Sequence, residues 1–83
     1  MLERLIKAFN YRIERSRQYL TMAQNPLNPC QREDLFTASE LCGEAHAIQL
    51  IIHKEWKLPD DPARAQLWHD LLTEIRDYME VIP

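Results

Sequence analysis

Glycine is almost missing from this chain, which has one glycine, Gly43, among its 83 residues. Tight β-hairpins, phosphate-binding loops and dinucleotide fingerprints depend on glycine, because it adopts positive φ at little cost and lets a ligand approach the backbone closely. The scarcity of glycine therefore argues against nucleotide-binding folds and favours helices.

Long hydrophobic runs are missing as well. The longest nearly apolar stretch, residues 45–52, contains His46 and Gln49 and is far shorter than the ~18 residues that a membrane span requires. Arg4 and Lys7 interrupt the stretch that would be apolar in a signal peptide. We therefore expect no membrane association and no signal peptide.

Cysteine is scarce, and its two copies, Cys30 and Cys42, do not form a CxxC motif. On one helix they would lie about 18 Å apart, at roughly 1.5 Å per residue, which is too far for a disulfide. Reduced thiols are typical of the cytoplasm, so we expect a cytoplasmic protein.

Charge of neither sign dominates. Ten basic and thirteen acidic side chains give a formal net charge of −3, which provides no general attraction to nucleic acid or to an anionic membrane. The distribution is uneven, since residues 1–24 carry five basic and two acidic side chains, whereas residues 60–83 carry two basic and six acidic ones. These two segments could attract each other within a bundle or across a dimer.

Helix-breaking residues cluster in two places, residues 25–29 and 58–62, and divide the chain into three segments. In each segment, apolar residues recur at helical spacing. We predict an all-α fold with helices over about residues 2–23, 29–57 and 62–81. Short connections favour an antiparallel three-helix bundle, and a chain of this length is expected to form one domain over residues 1–83.

The second and third predicted helices have recognisable starts. Asn28 and Asp61 each precede a proline, and a capping side chain followed by proline is typical of a helix N-terminus. Trp56 and Trp68 flank the second connection, and we expect them to pack against each other's helices.

The predicted middle helix is apolar on two nearly opposite sides. One stripe consists of Leu35, Ser39, Cys42, His46, Leu50 and His53. The other consists of Leu41, Ile48, Ile51 and Ile52. A helix that is apolar on two sides is usually buried on both, so we expect it to lie between the other helices and a partner subunit. The residues assigned to the interaction and dimer face are Leu41, Gly43, Ala45, Ile48, Ile51 and Ile52.

Cys42 and His46 are the most reactive-looking pair in this helix. They lie one turn apart, so both could reach a single metal ion. A structural zinc site normally has four ligands, however, and the others would have to come from elsewhere in the chain or from a symmetry mate. A cysteine on a buried stripe also tends to have a raised pKa and to be inert. We therefore expect no bound metal, no cofactor and no catalytic site.

Basic residues of the predicted first helix form a possible nucleic-acid face, which consists of Arg4, Lys7, Arg12 and Arg15. Clustered basic side chains can contact the phosphates of RNA or DNA. Two acidic residues of the same helix dilute this face, and the acidic third segment could neutralise it.

Arg64 and His69 are separated by four residues. This spacing resembles the R-x4-6-H pattern of HEPN ribonucleases, helical proteins whose arginine and histidine act on RNA at a dimer interface. The resemblance covers six residues. The ribonuclease that it implies ranks third, after the two functions given next.

The functional expectation follows mainly by elimination. The chain has no nucleotide-binding loop, no complete set of metal ligands and no coherent catalytic constellation. We predict a small non-enzymatic interaction module, a regulator, adaptor or inhibitor, that forms a homodimer and binds another protein. A nucleic-acid-binding regulator is the main alternative.

Overall fold

The computed structural model describes residues 1–56 and 61–82. These residues form three helices and no strand: α1 (Leu2–Ala23), α2 (Gln31–Trp56) and α3 (Pro62–Val81). The all-α prediction is confirmed, and α1 and α3 have the predicted bounds. The predicted end of the second helix, at residue 57, lies outside the described residues.

α2 begins two residues later than predicted. Asn28 provides the expected capping oxygen, because its Oδ1 accepts a hydrogen bond from the Cys30 N–H at 2.8 Å. The N–H of Asp34 then donates to the Cys30 carbonyl at 3.0 Å. Pro29 and Cys30 therefore form a turn before the helix, and the helix itself starts at Gln31.

α3 begins at the predicted cap. The Oδ1 of Asp61 accepts a hydrogen bond from the Ala63 N–H at 2.9 Å, while Pro62 occupies the first helical turn. The other carboxylate oxygen of Asp61 lies 3.2 Å from Nη1 of Arg64. One side chain thus satisfies a free N–H at the start of the helix and anchors a cation of its first turn.

α1 buries a single stripe and packs mostly against α2. The buried residues recur every three or four positions and are Phe9, Ile13, Ser16, Leu20 and Ala23. This spacing keeps them on one face of the helix, as the sequence predicted.

Residues later in α1 contact residues earlier in α2. The hydroxyl of Ser16 donates to the Ala38 carbonyl at 2.7 Å. One turn earlier in α1, Nε of Arg12 lies 3.3 Å from Oε1 of Glu44, further along α2. Ser16 is completely buried, so this hydrogen bond lies inside the packed seam and gives a buried hydroxyl the partner it requires.

The buried face of α2 differs from both predicted stripes and lies between them. It consists of Leu35, Ala38, Cys42, Ala45, Gln49 and Ile52. Because α1 and α3 both pack against α2, the side facing the two of them is the most enclosed. Two of its positions are alanines, whereas the larger Leu50 and Ile51 remain exposed. The face enclosed within the chain therefore differs from the predicted one, and the burial of a second side of α2 by a partner subunit stays a prediction.

α3 completes the core and packs mainly against α2. Leu71 and Ile75 are its fully buried residues. Its acidic surface meets the basic first segment at an ion pair, in which Nη1 of Arg17 lies 2.7 Å from Oε2 of Glu74. Within residues 1–56 and 61–82, none of the helices combines the length and the apolar character needed to cross a bilayer.

Candidate interaction surfaces

The six residues predicted to form the dimer face do not share one surface. Ala45 and Ile52 are buried in the core of the chain itself, Leu41 and Ile48 are half-buried, and Gly43 and Ile51 are exposed. Ala45 and Ile52 are enclosed because they lie on the face of α2 that meets its neighbouring helices. Neither is available to another molecule in this structure.

A different row of residues follows the outside of α2, and we name it the outer stripe. Its members are separated alternately by four and three positions and are all exposed: Phe36, Glu40, Gly43, Ala47, Leu50 and Lys54. Phe36 and Leu50 keep 62% and 52% of their surface accessible. Of this stripe, sequence reasoning had assigned only Gly43 to an interaction face.

The middle of the outer stripe has little side-chain volume. A Cβ atom added to Gly43 would meet nothing within 4 Å, so no contact within the chain requires glycine there. Ala47, one turn further along, is exposed as well. Toward the two ends, Glu40 and Lys54 carry opposite charges, and within the described ranges neither side chain has an ion-pair partner.

Trp56 is exposed, which corrects the expectation that it packs against the third helix. It retains 42% of its surface because it lies at the last position of α2, beside the start of α1. There it helps to line a depression of about 290 Å³ together with Met1, Leu5, Ile51 and Glu55. We name these five residues the end surface, and all but one of them are apolar.

Trp68 packs against α2, as expected, with His46 as its partner. The two rings are stacked, with centroids 4.2 Å apart and planes inclined by 18°. Nε1 of Trp68 is buried without a hydrogen-bond partner among the described residues. The stacking holds the imidazole of His46 flat against the indole, on the side of α2 that faces α3.

Of the two possible metal ligands, Cys42 lies in the core and His46 stacks on Trp68. Cys42 is 1% exposed, and burial raises the pKa of its thiol, which disfavours the thiolate that a metal or a nucleophilic reaction requires. Within residues 1–56 and 61–82, no group of three or more histidine, cysteine or acidic side chains is arranged to hold a metal ion.

Two of the four residues of the possible nucleic-acid face are engaged within the chain. Arg12 pairs with Glu44 of α2. Nη1 of Arg15 donates to Oε1 of Gln18 at 2.8 Å, and its guanidinium carbon lies 5.4 Å from the centre of the Tyr19 ring. These contacts draw both arginines toward groups of their own chain.

Arg4 and Lys7, the other two residues of this face, are exposed. In the part of the chain that the structure describes, neither has an ion-pair partner. The predicted face therefore consists of two open cations near the N-terminus and two engaged ones further along α1.

Arg64 and His69 do not share a face of α3. Five positions of a helix at about 100° per residue place them roughly 140° apart around the axis. Arg64 is held by Asp61 and by Gln49, whose Oε1 accepts a hydrogen bond from its Nε at 2.9 Å, while His69 is exposed. The arginine thus joins α3 to α2.

Comparison with known proteins adds no family to this description. No protein-family model matches the chain, and neither a curated protein nor a solved structure matches it.

Proposed function

We propose that this chain is a small non-enzymatic interaction module that forms a homodimer and binds another protein. The observation that supports the proposal is that α2 carries large apolar side chains on surfaces that its own core leaves open. Phe36 and Leu50 belong to the outer stripe, and Ile51 and Trp56 belong to the end surface. Ile51 and Trp56 line one depression with Met1 and Leu5, and exposed apolar side chains that lie together in this way are typical of sites for other proteins.

The proposed architecture is one domain in which the helices run antiparallel, up, down and up. The opposite progression of the α1–α2 contacts supports this arrangement. The contacts of α3 support it too, since Gln49 bonds to Arg64 near the start of α3, while His46, earlier in α2, stacks on Trp68, later in α3.

The size of the chain favours self-association. A domain of this length buries only about 60% of the surface of its unfolded chain, and binding a second copy shifts the folding equilibrium further toward the native state. The outer stripe is the surface that we assign to the second copy. The end surface then remains for another protein, and an exposed tryptophan there is a residue type that often dominates binding energy at protein interfaces.

Within this proposal the module works in the cytoplasm as a regulator, adaptor or inhibitor. Both cysteines are free, and free thiols suit a reducing compartment. A bound helical face can control a partner by blocking or positioning it, which requires no reactive side chain. The packing of Cys42 in the core and of His46 against Trp68 agrees with such a role.

Affinity capture from the native cell tests the role of the end surface. We expect one protein to co-purify in stoichiometric amount with the wild-type chain and to be lost with Trp56→Ala. Tyr11→Ala is the matched control, because Tyr11 is also an exposed aromatic residue but lies on the outside of α1. Equal recovery with the wild type and Trp56→Ala would contradict the assignment of this surface.

Binding to nucleic acid is the second candidate function, through Arg4, Lys7, Arg12 and Arg15. Its support is the pair of open cations, Arg4 and Lys7. Such binding should weaken steeply with salt, and replacing both open cations by alanine should reduce it further, since each phosphate contact contributes through counterion release. Absence of RNA and DNA binding at low salt excludes this candidate.

A further inference from the structure

We infer that the outer stripe is the seam of a two-fold symmetric dimer, in which α2 packs against α2 of a second copy that runs in the opposite direction. This inference rests on the homodimer of the proposed function and specifies its surface, its direction and its register. The two-fold axis passes between Gly43 and Ala47, near the middle of the stripe.

The spacing of the stripe is the first argument. Its six positions alternate between steps of four and three residues from Phe36 to Lys54, which gives the average of about 3.5 that packed helices share. At roughly 1.5 Å per residue the stripe is about 27 Å long. The buried residues of α2 follow the same alternation on the other face, so α2 has two seams, and the chain itself fills only one of them.

The shape of the stripe is the second argument. With the axis between Gly43 and Ala47, each Gly43 lies opposite Ala47 of the other copy, and neither residue holds the backbones apart. Leu50 of the second copy comes level with Glu40, where the missing side chain of Gly43 leaves room for it. The open space around Gly43 is thus the space that the second copy occupies.

The charges of the stripe determine which way the second helix runs and favour a second copy of this chain as the molecule that binds there. In the antiparallel register, Lys54 of the second copy comes level with Phe36 and one turn from Glu40, so that its stem covers the exposed ring and its amine extends toward the carboxylate. Symmetry repeats this pair at the other end. A parallel dimer in register would instead place Glu40 against Glu40 and Lys54 against Lys54. Because the stripe is complementary to itself only in the antiparallel direction, a second copy of this chain fits it.

Sedimentation equilibrium of the full chain over about 1 to 200 μM tests the inference, since a seam formed by one helix from each copy is near the small end of stable interfaces and should dissociate in the micromolar range. We expect the wild type to dimerise. Glu40→Lys and Lys54→Glu should each weaken the dimer at least about tenfold, because either change places like charges together at both ends. Glu80→Lys, an equal charge reversal at an exposed position of α3, should dimerise like the wild type.

Two rescue experiments make the test specific. The double variant Glu40→Lys/Lys54→Glu restores opposite charges and should dimerise again. A mixture of the Glu40→Lys and Lys54→Glu variants should form a mixed dimer, because opposite charges then meet at both ends of the seam. Each variant alone should dimerise only weakly. The altered residues are exposed, so circular dichroism of every variant should match that of the wild type.

Gly43→Leu probes the close approach without using charge. The new side chain meets no atom of its own chain within 4 Å of the Cβ, and leucine is a better helix former than glycine. The monomer should therefore stay folded while the dimer is lost.

The outcomes separate this inference from the proposed function. A wild type that remains monomeric at 200 μM, roughly the top of the tested range, overturns both the seam and the homodimer. A wild-type dimer that tolerates Glu40→Lys, Lys54→Glu and Gly43→Leu overturns the seam alone. Loss of the dimer in the single variants without rescue by the double variant overturns the antiparallel register.

Discussion

The hydroxyl of Tyr78 donates a hydrogen bond to the carbonyl oxygen of Ala23 at 3.0 Å, which joins α3 to the last residue of α1. The side-chain nitrogen of Gln31, at the start of α2, donates to the same carbonyl at 3.0 Å and to the Tyr78 oxygen at 3.2 Å. All three helices therefore meet in one network. It supplies partners to a carbonyl that lies too close to the end of α1 to receive a helical N–H.

Tyr78→Phe should destabilise the chain by about 1 kcal/mol, because it removes one hydrogen bond to Ala23 and the acceptor of another from Gln31 while it keeps the packing of the ring. Urea unfolding followed by circular dichroism measures this change. Tyr11→Phe, which removes an exposed hydroxyl of α1, is the control and should leave the midpoint unchanged. Equal midpoints for the two variants would show that the network contributes nothing.

Ser16→Ala should also cost about 1 kcal/mol. The serine hydroxyl is completely buried and bonds to the Ala38 carbonyl, and that carbonyl keeps its own helical hydrogen bond after the change. The same urea experiment applies, with Ser39→Ala as the control, since Ser39 is half-buried on α2.

Ser16→Leu adds a further expectation about the seam between α1 and α2. The larger side chain has to displace α2 at a position where the helices are held by a hydrogen bond of 2.7 Å, so overpacking should cost about 1 to 3 kcal/mol. A stability equal to that of Ser16→Ala would mean that the seam has unused space.

Asp61→Ala should destabilise the chain by about 1 kcal/mol through loss of the cap of α3. Asp61→Asn separates the cap from the ion pair, because the amide oxygen can still accept from the Ala63 N–H whereas the charge opposite Arg64 is gone. We expect Asn to retain most of the stability. Asp70→Ala, in the middle of the same helix and exposed, should change stability by less than about 0.5 kcal/mol. Thermal unfolding compares all three, and equal losses for Ala and Asn at position 61 would assign the effect to the ion pair.

The two thiols should differ in their reaction with a thiol reagent. Cys30 is exposed and should react in the folded chain, whereas Cys42 should react only after unfolding, since it is buried and its pKa is raised by burial. One thiol per chain should therefore be labelled rapidly, and Cys30→Ser should abolish the rapid phase. Rapid labelling of two thiols would show that the core opens easily.

Labelling of Cys30 should depend on Glu33. A hydrogen bond with this carboxylate, reinforced by its negative charge, raises the pKa of the Cys30 thiol, so less of the reactive thiolate is present at neutral pH. Glu33→Gln should lower that pKa, increase the labelling rate near pH 7 and shift the rise of the rate to lower pH. Glu40→Gln, two turns further along α2, is the control. An unchanged pH profile in Glu33→Gln would rule out this effect of the carboxylate.

Local sequence signals were sufficient to predict the helices. The cap at Asp61, the proline that follows it and the spacing of residues such as Phe9 and Ile13 act within one or two turns, so the bounds of α1 and α3 follow from neighbouring residues. The start of α2 was predicted two residues too early, because Asn28 caps a turn at Pro29 and Cys30 before the helix begins.

Tertiary structure alone decided which side of α2 is enclosed. Both sides carry large apolar residues, so periodicity cannot rank them, and burial depends on where α1 and α3 lie. They enclose the face that contains Ala38 and Ala45, where small side chains let three helices come together, and they leave Leu50 outside. The candidate dimer surface could not be read from composition for the same reason: a side chain belongs to an open surface only once the positions of the neighbouring helices are known.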